Sequence, residues 1–528
     1  MKMYKYLYPL AMFSGACLGF CVILPDIFGI FEWVCLVPFF LAFLPHLPRV
    51  TTPVRRYFLS GFLLYLAYGL VYFHWFWALF PLDFTGLNDV ESIVVILLAW
   101  LGLSALYALL GGALFLIVAL LAKLGSFERA PAVSIVIFPI LFALYEFIMT
   151  LDWWGVPWGK LALGQTFFLP ILQTVSVFGS YFIAILIVLF NITLAHLFSY
   201  QRKSLTRALP FALASLILIL NTVAGIFLYS RDPLSENEAE TVKIAVVQGN
   251  NPSQEDITDL ESFESYMTLS VRCAKEGADL VLWPESSIAG AIYEDNYFGL
   301  YASDFARTYG VNLIVGCTTY RDGNEYNTMV FFDREGNLSS YYDKRHLVPF
   351  GEHVPYRAFF ETFIPPLVEI TMLDQDCTPG DSPAIFERED IGSLGGLICF
   401  ESIYERLALD TVRAGAEIFV VGTNDSWFRQ SLATFMHTAH EQLRSIECGR
   451  YSARAACTGL TCIINSRGEI LDSLPLYEEG YLIHDVPRLT HTTPYARLGD
   501  LIIPLSALTL LTLVSVALYR KKKNDKKQ

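Results

Sequence analysis

From Leu7 to Ser230 the chain is apolar almost without interruption, in stretches separated by short loops, and one more such stretch runs from Leu501 to Tyr519. Roughly 20 consecutive apolar residues cross a bilayer as a helix, because in lipid each backbone polar group has to be satisfied within its own segment. The pattern predicts seven spans ahead of residue 230, at about 7–25, 28–45, 57–80, 94–122, 131–150, 171–199 and 208–229, and an eighth at about 500–519. Lys2 and Lys5 precede the first stretch as in a signal peptide. No small-residue cleavage site leads into a polar mature domain, so the stretch is read as a span. Composition agrees: 54% of the 528 residues are hydrophobic and only 17% are charged, where a soluble domain has about a quarter. An aromatic content of 15% suits membrane interfaces.

Lys and Arg sort the loops into two sets. Lys2 and Lys5, then Arg49, Arg55 and Arg56, then Lys123 and Arg129, then YQRKSLTR, and finally the tail RKKKNDKKQ form the basic set. The alternate loops PDIFG, PLDFTGLNDVES and DWWGVPWGK hold one lysine among them. Basic loops mark the cytoplasmic side, so both termini are expected inside and the polar segment between spans seven and eight outside. The expected organisation is 1–230 as a seven-span domain, 231–498 as an external domain, and 499–528 as an eighth helix with a basic tail. The net charge of −14 is that of a solvated acidic surface and argues against a nucleic-acid partner, which requires a basic face.

Residues 241 to about 487 alternate strand-like and helix-like runs. VKIAVVQGN, ADLVLWPES, VNLIVGCTTY, YNTMVFFDREG, SLGGLICFES, AEIFVVGTND and TGLTCIINSRGEI each have an apolar, β-branched centre bounded by turn residues. Helices are expected at about 258–276, 294–309, 402–414 and 432–450. The fold class is therefore a multi-span α-helical membrane bundle plus an external, layered α/β domain with buried sheets.

Three polar residues punctuate these strands without a packing reason. Glu285 ends LVLWPES, Lys344 lies in YYDKRHLVPFGEHVP after a strand, and Cys399 ends GGLICF just before a helix expected near Ser402. A base, a cation and a thiol are the parts that covalent acyl transfer needs. A helix N-terminus and a lysine are expected to favour the thiolate. A carboxylate in a partly apolar pocket is expected to bind its proton more tightly and to shuttle it near neutral pH. An ammonium close to the reacting carbon stabilises an oxyanion.

LWPES, DKRHLVPFGE and the cysteine of LICFES, in that order, resemble the Glu-Lys-Cys triad of the nitrilase (carbon-nitrogen hydrolase) superfamily. VVQGNNP, YDKRHLVPFGEHVPYR, CFES, TNDSWF and the loop GVPWGKLALGQ are similar to the apolipoprotein N-acyltransferase family within it. The resemblance covers nearly the whole chain. It implies a nitrilase-like α-β-β-α sandwich and an enzyme of the bacterial inner membrane with its catalytic domain on the periplasmic side. Such an enzyme moves an acyl chain from a phospholipid to the N-terminal diacylglyceryl-cysteine amine of apolipoproteins by a ping-pong route. It also implies Cys399 as the thioester-forming nucleophile, Glu285 as general base and acid, and Lys344 as the group that steadies the intermediate. Glu352, Glu401 and Trp427 match supporting positions, and neither cofactor nor metal is implied. The chain departs from the family at Ile257, where an aromatic residue is usual, and at Phe400, where tyrosine is frequent.

Other segments admit two readings. Trp153, Trp154 and Trp158 read as an interfacial belt or as a lipid site. The apolar segment 356–373 reads as a core helix broken at Pro365-Pro366 or as an arm dipping into the outer leaflet. HTAHE, residues 437–441, has no third ligand nearby and reads as an ordinary polar helix face rather than a metal site. Arg444 and Arg450 with Glu441 and Glu447 read as helix ion pairs. Seven of the ten cysteines fall in the external domain, where an oxidising exterior favours pairing, although a nucleophile has to stay free. Two rival functions are a membrane-anchored nitrilase-type amidase and a transporter with a non-catalytic external domain. Against the transporter, the spans look almost free of charge.

Overall fold

The computed structural model describes residues 3–82, 85–199, 205–231, 238–251, 257–371, 373 and 375–526. Lys2, Lys527, most of the YQRK loop and most of the NNPSQEDI segment lie outside the described residues. Among the described residues six helical stretches are long and apolar enough to cross a membrane: Pro25–His46, Val54–Leu79, Asp89–Lys123, Ser180–Ser199, Ala208–Ser230 and Ile502–Asp525. Two shorter apolar helices, Leu7–Ile23 and Val133–Ile148, occupy the other two expected stretches. The stretch expected from 171 begins as a long helix only at Ser180, because Pro170 lacks a donor and Gly179 sits at φ +78°.

The bundle has two distinct ends. At one, Lys123 Nζ donates to the Val50 carbonyl, and Arg129 and Arg520 line a common cleft, so the basic loops gather there. At the other, loops of the bundle meet the α/β domain. Arg429 donates to the Phe80 and Pro81 carbonyls, Tyr404 to Gly155, and Gln173 to Arg467. Two acids, Glu32 and Glu146, are buried in the bundle interior. Glu146 accepts the Leu161 N–H and Glu32 the Gln165 amide, so both carboxylates serve to anchor the re-entering chain after Lys160.

The α/β domain holds two six-stranded sheets. The first runs β12-β1-β2-β3-β4-β5, with β1 Thr241–Gln248, β2 Leu280–Leu282, β3 Asn312–Arg321, β4 Asn324–Phe332, β5 Leu338–Asp343 and β12 Gly480–Pro487. The second runs β11-β10-β9-β8-β7-β6, with β6 Ile385–Arg388, β7 Gly392–Ile398, β8 Ile418–Thr423, β9 Tyr451–Ala456, β10 Cys462–Ile464 and β11 Ile470–Ser473.

The apolar runs of the sequence follow from burial on both faces. In β1, Val242, Ile244 and Val246 pack between the sheets against Leu394, Ile418 and Ala453 of the second sheet. Their neighbours Ala245 and Val247 face the outer helices Asp259–Lys275 and Tyr297–Tyr309 through Phe263, Leu269 and Phe305. On the other side Leu397, Phe419 and Val421 pack against helix Glu405–Arg413. The result is an α-β-β-α sandwich, as expected. Strands β5, β6, β9, β11 and β12 had no counterpart of their own among the expected strands.

HTAHE lies on helix Ala433–Cys448, as expected, but its polar face is turned inward. His437, His440, Glu441, Arg444 and Glu447 are all buried, because the helix lies between the second sheet and the bundle. Only part of the expected ion pairing forms. Arg444 pairs with Glu447 and Glu405, Glu441 pairs instead with Arg454, and Arg450 donates to the carbonyls of Ala416 and His491. All ten cysteines are free thiols.

Candidate active site

Glu285 follows β2 through Trp283 and Pro284, and it is buried where the two sheets converge. Gly316 of β3 makes that approach possible: a Cβ there would fall 2.2 Å from the Pro284 carbonyl oxygen and 2.7 Å from the Glu285 Cα. Oε1 of Glu285 accepts from Lys344 Nζ and from Asn327 Nδ2, each at 2.8 Å, and Oε2 accepts the Asn424 N–H at 2.9 Å. Lys344, the residue after β5, is 1% exposed and also donates to Glu352 Oε1 at 2.8 Å. Asn327 reaches Glu352 Oε1 at 2.6 Å, and Glu352 Oε2 takes the Val348 N–H at 2.7 Å. One ammonium and one amide thus bridge two carboxylates from different loops.

Cys399 closes β7 at φ +49°, a left-handed conformation rare outside glycine, and begins a 3-10 turn over Cys399–Ile403. The helix expected near Ser402 starts at Glu405, after this turn. The Cys399 thiol lies near enough to Glu285 and Lys344 to feel both charges. Its backbone carbonyl accepts from Ser402 Oγ and His437 Nε2, both at 3.0 Å.

The electrostatics reverse two expectations. Burial pushes the Cys399 thiol up and the Glu285 charge pushes it further, against a smaller opposite pull from Lys344, so the resting sulfur holds its proton. Burial works to raise Glu285 as well, but the Lys344 ammonium and the converging donors outweigh it and hold the carboxyl below its ordinary range. Lys344 is held well above the usual lysine range: burial opposes its charge, and the two carboxylates more than compensate. The resting site is therefore a protonated thiol near an ionised carboxylate and a charged lysine.

Glu401 does not face the sulfur. Oε1 accepts the Arg345 and His346 N–H groups at 2.7 and 3.2 Å, and Oε2 accepts the Tyr342 hydroxyl and the Ile398 N–H at 2.7 and 2.8 Å. Trp427 lies on the 3-10 turn Asp425–Phe428 after β8, 37% exposed. Of the six residues singled out in the sequence, Glu285, Lys344, Cys399 and Glu352 thus converge, Glu401 braces them from behind, and Trp427 stands on the turn that follows Asn424. Asn327, Tyr342 and His437 were missed as site residues. Asn327 left a weak signal, a carboxamide inside the apolar strand YNTMVFF.

The aromatic loop splits between its two readings. Trp158 is fully buried and packs on Phe428, His437 and Trp75, so it is no part of an interfacial belt. Trp153 meets Tyr356 at the root of segment 356–373. That segment is not a core helix. Its helices Arg357–Phe363 and Pro365–Glu369 bury no residue, and Phe359, Phe363 and Ile364 are exposed. A cleft of about 430 Å³ lies between Pro366, Glu369 and Ile370 and the helix start at Val90 and Val94.

The family model for carbon-nitrogen hydrolases matches residues 243–495, and that for the apolipoprotein N-acyltransferase N-terminal domain matches residues 14–193. An apolipoprotein N-acyltransferase from Geobacter metallireducens is 31% identical over 393 residues, 73% of this chain and 74% of that protein. One from Gloeobacter violaceus is 29% identical over 522 residues, 96% of this chain and 93% of that protein. Among solved structures, an amidase of the nitrilase superfamily from Nesterenkonia matches 50% of this chain and 96% of its own at 18% identity, with a TM-score of 0.38.

Proposed function

Because this chain belongs to the apolipoprotein N-acyltransferase family and is an acyltransferase of lipoprotein maturation in a membrane, we propose that it works through an acyl thioester on Cys399, with Glu285 as base and acid and Lys344 as the cation at the reacting carbon. The observation that carries this is the Glu285–Lys344 ion pair at 2.8 Å, set close enough to the Cys399 thiol for both charges to act on it.

The donor is a phospholipid and the acceptor is the α-amine of a diacylglyceryl-modified N-terminal cysteine. In the first half-reaction the sulfur attacks the ester carbonyl as its proton passes to Glu285. The C–O bond to the glycerol then breaks, and Glu285 returns that proton to the departing oxygen, giving a lysophospholipid. In the second half, the amine attacks the thioester and gives a proton to Glu285, which protonates the leaving Cys399 sulfur. Lys344, always charged, balances the oxyanion in both halves. Glu352 and Asn327 hold Lys344 and Glu285 in register, and Glu401 fixes the loop that carries Lys344. Trp427, on the neighbouring turn, contributes to the acyl pocket. An ester donor is already activated, so the chemistry calls for no cofactor.

The orientation has the α/β domain outside and both termini in the cytoplasm, with eight spans. Its support is the gathering of Arg129, Arg520 and the Lys123–Val50 contact at the end of the bundle remote from the α/β domain. Segment 356–373 then lies at the outer leaflet, and the cleft beside Val90 and Pro366 gives an acyl chain a path out of water. The test is transfer. With labelled phospholipid and a synthetic diacylglyceryl-cysteine peptide, the label has to appear in amide linkage on the peptide. Release only as free fatty acid would identify a hydrolase and overturn the reading.

A further inference from the structure

His437 belongs to a fully buried hydrogen-bonded chain that the reaction scheme leaves unused. Its Nδ1 lies 2.9 Å from Asp425 Oδ1, and its Nε2 lies 3.0 Å from the Cys399 carbonyl oxygen and 3.1 Å from Ser402 Oγ. Arg454 continues the chain, donating to Asp425 Oδ2 at 2.8 Å and to Glu441 Oε2 at 2.6 Å. A carbonyl oxygen can only accept, so Nε2 carries a hydrogen. Burial works to raise Asp425, but Arg454 and His437 hold it well below the carboxylate range, so it only accepts, and Arg454 Nη2 stands 3.2 Å from His437 Nδ1.

The carbonyl that His437 holds belongs to the peptide joining Cys399 to Phe400. That peptide is planar, so fixing its C=O fixes the direction of the Phe400 N–H as well. The N–H at the start of a helical turn has no partner within the turn. Cys399 pays for its left-handed backbone with strain, and such strain persists only where surrounding bonds over-determine it. The Ser402 and His437 donors are those bonds.

We propose that His437 is a positioning residue for the nucleophile: by donating Nε2–H to the Cys399 carbonyl it sets the Cys399 side chain and the Phe400 N–H for attack. The inference rests on Cys399 being the acyl-accepting thiol.

The experiment uses the full-length chain in lipid nanodiscs, with labelled phospholipid as donor, and reads the single-turnover rate of thioester formation and the thermal midpoint. It compares His437→Ala, His437→Asn and His437→Gln, with alkylation of Cys399 by iodoacetamide followed in the same samples. A glutamine amide nitrogen reaches the place of Nε2, whereas an asparagine amide stops at the level of Nδ1. The Ala variant is expected to slow thioester formation by about 100-fold, the usual effect of misplacing a reacting group by an ångström. Gln is expected to recover at least about tenfold of that loss and Asn none, at equal midpoints and unchanged phospholipid KM. An Ala rate within threefold of wild type overturns the inference. So does equal behaviour of Asn and Gln, which remains readable if the Ala variant fails to fold. Wild type that forms no thioester overturns the acyl reading instead, and the alkylation rates still report whether His437 positions the thiol.

Discussion

Glu401, two residues past the nucleophile, accepts the backbone N–H of Arg345, one residue past the lysine, at 2.7 Å. That bond ties the strand end carrying Cys399 to the loop carrying Lys344, and the Tyr342, His346 and Ile398 donors complete the set around the same carboxylate. The two halves of the candidate site come from different sheets, and this carboxylate is what holds them at a fixed separation.

Replacing Glu401 by alanine strands four buried donors. At about 1–3 kcal/mol for each unsatisfied group, the loss is about 4 kcal/mol or more. Glu401→Gln keeps one acceptor oxygen and falls between. Chemical denaturation of the purified protein measures it, and an alanine variant as stable as wild type would show that the clamp carries no energy.

The pH dependence follows from the directions of the shifts. Glu285 sits below its ordinary value, so the Glu285–Lys344 contribution is fully present above about 4.3, the unfolded value, and is lost as pH falls through the lower folded one. Lys344 is raised, so its charge persists past the ordinary lysine range, and its contribution is lost only as pH rises through that higher folded value. Thioester formation is therefore expected to be flat from about pH 6 to 9, with no rise near 8.5 where a free thiol ionises. Stopped single-turnover assays across this range check it. A tenfold gain per pH unit would mean that the thiolate forms without Glu285.

Glu285→Gln removes the proton acceptor and is expected to slow the thioester step by about 10²–10⁴-fold, the usual worth of a positioned base. The residual rate should then acquire the thiol limb that wild type lacks. A variant with wild-type rate refutes the role.

Lys344→Met leaves Glu285 and Glu352 facing each other without their shared cation. One of the two carboxylates then has to hold a proton near neutral pH, because like charges in one site push a pKa up. Activity should vanish and the thermal midpoint should come to depend on pH between about 5 and 8, a range in which ordinary carboxylates do not titrate. An unchanged, pH-independent midpoint contradicts the pairing.

On the arm, Phe359→Glu with Phe363→Glu places charge where an apolar face meets lipid. Phospholipid KM should rise about tenfold or more while iodoacetamide alkylation of Cys399 stays the same, since neither residue is buried in the site. Equal KM would remove the arm from the lipid path.

Much of this was legible before the structure because of where polar residues interrupt apolar text. Glu285 and Cys399 end strands buried on both faces, so a carboxylate or thiol there has no packing reason to exist. The reading failed where partners are remote in sequence. β9, YSARAA, carries Arg454 in the middle of a central strand, and only Asp425 and Glu441, 29 and 13 residues away, make that burial tolerable. The burial of HTAHE escaped for the same reason: nothing in the sequence tells that the bundle covers this helix. The protonation states were inverted because the Lys344 charge and the converging donors outweigh burial at Glu285, whereas at Cys399 the Glu285 charge adds to burial, and such balances depend on distances of a few ångströms.

The central claim is that acyl chains pass through Cys399. Wild-type protein incubated with labelled phospholipid, with the thiol kept reduced, is digested and the Cys399 peptide weighed. The account predicts a fatty-acyl mass on Cys399 that hydroxylamine removes and that Cys399→Ala abolishes. An unmodified Cys399 peptide, or an acyl group found on another residue, would contradict it.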